Sequence, residues 1–250
     1  MRDATELKNK IWLAGVDGCR AGWLAVFLRP DGGVAHARVL AHFSEMAAAP
    51  EAPAVIAVDI PIGLPERTGR GGRAAENAIR PLLGARQSSV FSVPARAAIA
   101  AVEYRQACAI ALATSQPPRK ISRQLFNIAP KIREVDECLR ADAALVARVF
   151  EVHPELAFWR LNGESALTLP KKVKSRPFAP GLAQRRELLI AAGLPHEWVE
   201  ADPPRGAAPD DLLDALACAA IARRKFFGTA RCFPDPAPRD QYGLPMAIWA

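Results

Sequence analysis

The chain has 250 residues, half of them apolar, and 33 lysines and arginines against 26 aspartates and glutamates give it a formal charge of +7. That is enough chain for one large domain with a sizeable core, and no apolar run approaches the roughly 18 residues of a membrane-spanning helix. The basic balance suits a polyanionic partner, although abundant arginine and alanine also point to compositional bias. Residues 1–10 mix both charge signs and lack an apolar stretch before a small-residue cleavage site, so no signal peptide is expected. Five cysteines with no Cys-x-x-Cys pair exclude a zinc ribbon and read as free thiols of a cytoplasmic protein. Cys19 stands beside Asp17, but no histidine is near in sequence to activate it, and it reads as a packing residue of a turn.

After a polar lead-in, residues 11–17 form an apolar strand that ends on Asp17. A turn between Gly18 and Gly22 leads into a second strand over 23–28, the pattern of a β-hairpin. Arg29-Pro30-Asp31-Gly32-Gly33 is a strong turn signal, and residues 34–40 complete an antiparallel meander. A short helix is expected over 43–49, closed by Pro50. Ala54-Val55-Ile56-Ala57-Val58 is a continuous apolar run, typical of a strand buried on both faces, and it stops on Asp59. A right-handed crossover would lay it parallel to the first strand. Asp17 and Asp59 would then stand at neighbouring carboxyl ends, the edge where parallel sheets bind ligands.

Residues from about 66 to 144 break this pattern. They open on the basic loop Arg67-Thr68-Gly69-Arg70-Gly71-Gly72-Arg73 and continue as helical segments near 74–83, 95–113, 121–128 and 132–139. This reads as a helical insertion covering the cleft of a single domain over 11–250. Polar and basic groups gather at 84–96, among them Arg86, Ser88 and Arg96, and Arg119, Lys120, Arg123, Lys131 and Arg133 add charge further on. A strand over 145–152 runs into Glu151-Val152-His153-Pro154-Glu155. Leu169-Pro170-Lys171-Lys172-Val173-Lys174-Ser175-Arg176-Pro177 reads as a basic loop, and 184–192 as an amphipathic helix ended by Gly193. The last helix starts at Asp210, its expected N-cap, and closes on Arg223, Arg224 and Lys225, matching the helix dipole at both ends. A proline-rich tail finishes on an apolar stretch at 244–249.

Acids thus end two strands and open the final helix: Asp17, Asp59, then Asp210, Asp211 and Asp214, with Glu151 on a further strand. Asp211 and Asp214 are three residues apart and share a helix face. Carboxylate oxygens suit a hard cation such as Mg2+ or Mn2+. Two such ions about 4 Å apart clamp the attacking and leaving oxygens of phosphodiester cleavage. Each acid also has an ordinary reading: Asp17 as a turn-former, Asp210 and Asp211 as caps, and neighbouring His153 as a hydrogen-bonded histidine. Asp214 lies a turn inside the helix, beyond capping. The joint pattern makes Asp17, Asp59 and Asp214 the expected metal ligands, with Asp211 or Glu151 completing the catalytic set. Arg86, Ser88, Arg96, Lys120 and Arg123 are expected to contact the substrate backbone, against the plainer reading of a solvated helix face.

Five stretches occur in a fixed order: Gly15-Val16-Asp17-Gly18, Val58-Asp59-Ile60-Pro61-Ile62-Gly63-Leu64-Pro65, Ser88-Ser89-Val90-Phe91-Ser92-Val93-Pro94, Glu151-Val152-His153-Pro154-Glu155 and Asp210-Asp211-Leu212-Leu213-Asp214-Ala215-Leu216. As a set they resemble the predicted ribonuclease H-like nuclease family also catalogued as domain of unknown function 429. Gly243-Leu244-Pro245-Met246-Ala247-Ile248-Trp249 fits too, so the resemblance spans about 11–249. It implies a ribonuclease H-like α/β fold: a mixed five-stranded sheet, made of an antiparallel three-strand meander plus parallel strands, flanked by helices. The family is similar in fold to Holliday-junction resolvases, whose acids lie on the first strand, at the end of the fourth and as Asp-x-x-Asp on the last helix. That pattern carries over onto Asp17, Asp59, Asp211 and Asp214. The chain departs from it in having aspartate where resolvases have glutamate, and in its long insertion, so junction cleavage does not follow.

The function expected is a metal-dependent nuclease using Mg2+ or Mn2+ on DNA or RNA, with no membrane association and a homodimer left open. A sugar-kinase or actin-type phosphotransferase shares the core fold. It calls for a hydroxyl-bearing glycine loop after the first strand, where this chain has Gly18-Cys19-Arg20, and for a second glycine-rich loop later in the chain, whereas the Asp-Gly-Gly found here, Asp31-Gly32-Gly33, is the turn within the meander. A non-catalytic nucleic-acid-binding protein of the same fold is the third reading.

Overall fold

The structure, a computed structural model, describes residues 11–174 and 176–250. The lead-in expected at 1–10 lies outside the described residues. Strands β1 (Leu13–Cys19), β2 (Gly22–Leu28) and β3 (Val34–Leu40) form the expected meander, and β4 (Val55–Val58) pairs parallel to β1. Next to β4 comes β5 (Val149–Val152), also parallel. The tail adds two short strands, β8 (Cys232–Phe233) and β9 (Ile248–Trp249). The sheet therefore has seven strands, not five, in the order β3-β2-β1-β4-β5-β9-β8. The extra pair follows from the apolar chain end: Ile248 and Ala250 are almost completely buried, and β9 places them by pairing with Glu151 and Val152. A separate ribbon joins β6 (Lys172–Val173) and β7 (Arg176–Pro177).

Both faces of the sheet are covered, and strand alternation assigns each residue to a face. Ala14, Val16, Trp23, Ala25, Phe27, Ile56 and Val58 face one core. Leu13, Leu24, Val26, Leu28 and Ala57 face the other. Burying a side chain the size of Phe27 contributes roughly 1.5–3 kcal/mol.

The first core is closed by helices between β4 and β5. Helix α1 (Ala74–Ile79) packs in a separate cluster with Leu156, Trp159 and Ile248, and the core itself is closed by α2 (Arg96–Ala100), α3 (Tyr104–Thr114), α4 (Arg123–Ala141) and α5 (Ala143–Val146). Two helices expected around 121–139 are one, because Leu125, Ala129, Ile132 and Val135 keep a continuous buried face across Pro130. Trp23 Nε1–H donates to Glu134 on α4 at 3.0 Å and ties that helix to β2. The helix expected over 43–49 is a 3-10 turn, Phe43–Met46. Residues 74–83 hold only the six-residue α1, followed by 3-10 geometry over Arg80–Ser89 that turns at Gly84. The expected strand over 145–152 is divided between α5 and β5.

The second core is closed by α6 (Pro154–Leu161), α7 (Ala179–Ala191), α8 (His196–Val199) and α9 (Pro209–Phe226). Helix α9 lies directly on β1. A Cβ on Gly15 would sit 2.1 Å from both Ala215 O and Ala219 N, so only glycine allows this approach. No helix among the described residues is long and apolar enough to cross a membrane.

Candidate functional site

The residues that converge do so by strand parity. On β1, Leu13, Gly15 and Asp17 alternate onto the α9 face. The Asp59 N–H donates to Val16 O at 2.9 Å and extends the β1–β4 pairing one residue past β4. Asp59 thereby joins Ala57 and Asp17 on the same side. Helix α9, held against Gly15, brings Asp214 to the same place. Asp17 and Asp214 are buried at 8% and 2% exposure. Burial and mutual repulsion push the Asp17 carboxyl well above its usual range, with Asp59 the larger charge contribution and Asp214 the next. Burial and then Asp214 push Asp59 up to about 8, against the pull of Lys171. Asp214 is raised as well, by burial, with Lys171 opposing.

Lys171, in sequence one residue of a basic loop, joins these acids. Its ammonium is ion-paired with Asp214. Burial works against that charge, but Asp214, Asp17 and Asp59 together hold its pKa above the usual lysine value. The backbone fixes it there. Phe178 N–H donates to Lys171 O at 2.9 Å, and Arg185 donates to Leu169 O at 3.1 Å. Gly181 packs its bare Cα onto Pro170, where a Cβ would lie 1.8 Å from the carbonyl oxygen. Arg185 is itself buried and paired with Glu155 at 2.5 Å.

In front of these groups lies a cavity of about 450 Å³. Asp17, Asp59 and Lys171 line it, as do Ser88, Phe91 and His153, whereas Asp214 sits behind Lys171. Four of the five stretches, those at Asp17, Asp59, Ser88 and Glu151, therefore reach one space. His153 is held neutral by burial, and its Nδ1 has no hydrogen-bond partner among the described residues.

Other expected site residues are engaged elsewhere. Glu151 lines the cavity but falls on the opposite sheet face from Asp59, because Val58 pairs with Glu151 in register. Both its oxygens are taken: Arg73 donates to one at 2.7 Å and Ile62 N–H to the other at 2.8 Å. Burial still raises its carboxyl to about 7, against Arg73. The Arg73 guanidinium also contacts Glu76, Ile62 O and Gly63 O, which locks the loop after β4.

Asp211 does not join Asp214. It accepts from Ala208 N–H at 2.8 Å, at the start of its own helix. The cap lies two residues earlier than expected, with Ala208 as N-cap and Pro209 in the first helical position, where its missing N–H costs nothing. Asp210 is thus not the cap but a buried acid paired with Lys172 at 2.6 Å.

Of the expected substrate contacts, Ser88 lines the cavity. Arg96 is bound to Asp136 and Asp240 and stacks on Tyr242, so its charge is internal. Arg86 is half-buried off the cavity wall, Lys120 is exposed, and exposed Arg123 covers the Tyr104 ring at 3.8 Å. On α4 the residues that do face the cavity are Gln124, Ile128 and Lys131. Among the described residues, no group of three or more His, Cys, Asp or Glu side chains stands in metal-ligating geometry, the ammonium of Lys171 being inserted among the acids.

Fold and site together define a mixed α/β protein with an acidic cavity at the carboxyl edge of its parallel strands. The chain belongs to the family described as Protein of unknown function (DUF429), which it matches over residues 15–239. Comparisons with curated proteins and with solved structures give no match.

Proposed function

We propose that the protein is a metal-dependent phosphodiester hydrolase acting on nucleic acid, built on a ribonuclease H-like core. The observation that carries this reading is that Asp17 and Asp59, from two parallel strand ends, meet at one cavity, with Asp214, from the helix packed across them, directly behind through Lys171. The run β3-β2-β1-β4-β5 within the sheet, antiparallel and then parallel, supports the same core.

The donor chemistry fits a hard divalent cation. It is all carboxylate oxygen, the acids repel one another, and Asp214 Oδ1 is buried without a hydrogen bond among the described residues. Asp17, Asp59 and Asp214 would hold Mg2+ or Mn2+ once the Lys171 ammonium withdraws. When bound, such ions supply Lewis acidity and a water of lowered pKa. Asp17 and Asp59 set the position of the reacting phosphate through the strand ends that carry them. Arg73 keeps the Asp59 loop rigid from the other face. Lys171, displaced from Asp214, offers positive charge to the phosphate oxygens. His153, neutral and with its Nε2–H directed at Ser89 O, presents Nδ1 as a lone pair that can accept a proton from water in the cavity.

The test is cleavage of end-labelled single- and double-stranded DNA and RNA with Mg2+ or Mn2+, comparing wild type with Asp17→Asn. The substitution is expected to lower cleavage about a hundredfold or more. Cleavage at the wild-type rate would remove Asp17 from the reaction and the proposed site with it.

A further inference from the structure

We infer that this site, on the hydrolase reading above, takes one nucleotide-sized phosphoester, and that it does not act inside a duplex. That ester is either the end nucleotide of a strand or a free nucleotide.

Size is the first argument. The cavity of about 450 Å³ lies in the range of small-molecule pockets. A sphere of that volume is roughly 9.5 Å across, narrower than the about 12 Å major groove of B-DNA alone.

The enclosure is also fastened. Its roof is the stretch around Ser88 to Val93 together with α4. Arg80 donates to Phe91 O at 3.2 Å and to Ser92 Oγ at 3.0 Å, and Arg119 donates to Ser92 Oγ at 3.2 Å. On the α4 side, Lys131 donates to Gly22 O at 2.5 Å. A groove open along a duplex does not need such a roof.

Charge gives the second argument. The lining carries five acids, Asp17, Asp59, Glu76, Glu151 and Glu155, against Arg73, Lys131 and Lys171. Single strands bound along their length lie in positively charged grooves. Here Glu76 and Glu151 are paired with Arg73, and Glu155 with Arg185, so the enclosure is not the continuous basic groove that a strand bound along its length requires.

The walls supply the third. Phe91 offers an aromatic surface beside Val90 and Ile128, while Ser88 and Gln124 are polar. That is a stacking surface with hydrogen-bonding groups at its edge, suited to a nucleobase.

The experiment uses the full chain with Mn2+ and three probes: a linear single strand, the same sequence closed into a circle, and thymidine 5′-monophosphate p-nitrophenyl ester. Linear strands reduced to mononucleotides with the circle intact would identify the strand end as the source. Turnover of the ester alone would identify a free nucleotide. Either result supports the inference. Opening of the circle, or cuts within a duplex, would overturn it while leaving the hydrolase reading in place. If no probe is cleaved, the hydrolase reading falls, and calorimetric titration of thymidine 5′-monophosphate with Mn2+ decides the size class: binding supports it and no binding at millimolar ligand overturns it. Phe91→Ala is expected to raise KM for the ester, or Kd for the monophosphate, about tenfold through lost stacking. An unchanged value would overturn the nucleobase assignment.

Discussion

Lys171 is held within reach of three carboxylates by a backbone that Phe178, Arg185 and Gly181 fix, so its ammonium is a tethered counter-charge. Removing it leaves Asp214 buried without its partner. Lys171→Met is expected to destabilise the metal-free protein by about 2 kcal/mol, less than for a fully buried pair because the lysine is partly exposed. The same change should tighten Mn2+ binding, since the ion no longer competes with the lysine. Electron paramagnetic resonance titration checks this without any turnover, and unchanged Mn2+ affinity would mean the lysine does not occupy the cation's place. Asp59 sets a pH dependence whose sign follows from its raised pKa of about 8, against an unfolded value near 3.9. Over that interval the folded chain binds more protons than the unfolded one. The contribution of Asp59 to stability is therefore fully present below about pH 4 and is lost as pH rises through about 8. The Tm in chelator should fall across this window, the slope should flatten in Asp59→Asn, and Mg2+ should restore more of it at pH 8 than at pH 5.

Helix α9 is set by one glycine on the strand beneath it. A methyl group at Gly15 meets main-chain atoms of Ala215 and Ala219, which a side-chain rotation cannot relieve. Gly15→Ala is expected to cost about 3 kcal/mol by urea denaturation and to lower cleavage more than stability alone explains, because Asp214 moves with the helix. Gly18→Ala is the control: its methyl meets the flexible Lys131 chain, and a loss under about 1 kcal/mol is expected. At this scale β1 and β4 were legible because their apolar patterns end on acids, and α9 because its charges match its dipole. The helix through Pro130 was not, since proline is a local stop signal and the buried face that overrides it is tertiary. The facing of Glu151 depends on a register with β4, 93 residues away in the pair Val58 and Glu151, which no local pattern records. Asp211 looked like a partner of Asp214 because helical spacing cannot tell a side chain that turns back to its own helix start. Lys171 meets Asp214 only through the fold, and in sequence it has the same surroundings as any basic loop residue.

Across the whole molecule the sign of charge is divided. The chain carries +7, yet its cavity is lined by more acids than bases. Several arginines contribute nothing to the outer field, because Arg73, Arg96 and Arg185 are neutralised in internal ion pairs. The exterior excess therefore falls on exposed residues such as Lys120 and Arg123, at the start of the helix that roofs the cavity. Such a division fits an anionic partner drawn in by the outer surface. A strand whose end enters the cavity would trail across α4, and these two side chains would displace counterions condensed on its phosphates. Replacing both, as Lys120→Gln with Arg123→Gln, should make log K less steep against log salt by about 1.4 for single strands, at 0.7 per phosphate contact. Turnover of a small nucleotide ester should stay as in wild type, because neither residue lines the cavity. Filter binding over a salt series measures the first and chromogenic hydrolysis the second. An unchanged slope would send the strand over another face, and a loss of ester turnover would mean these residues act on the cavity itself.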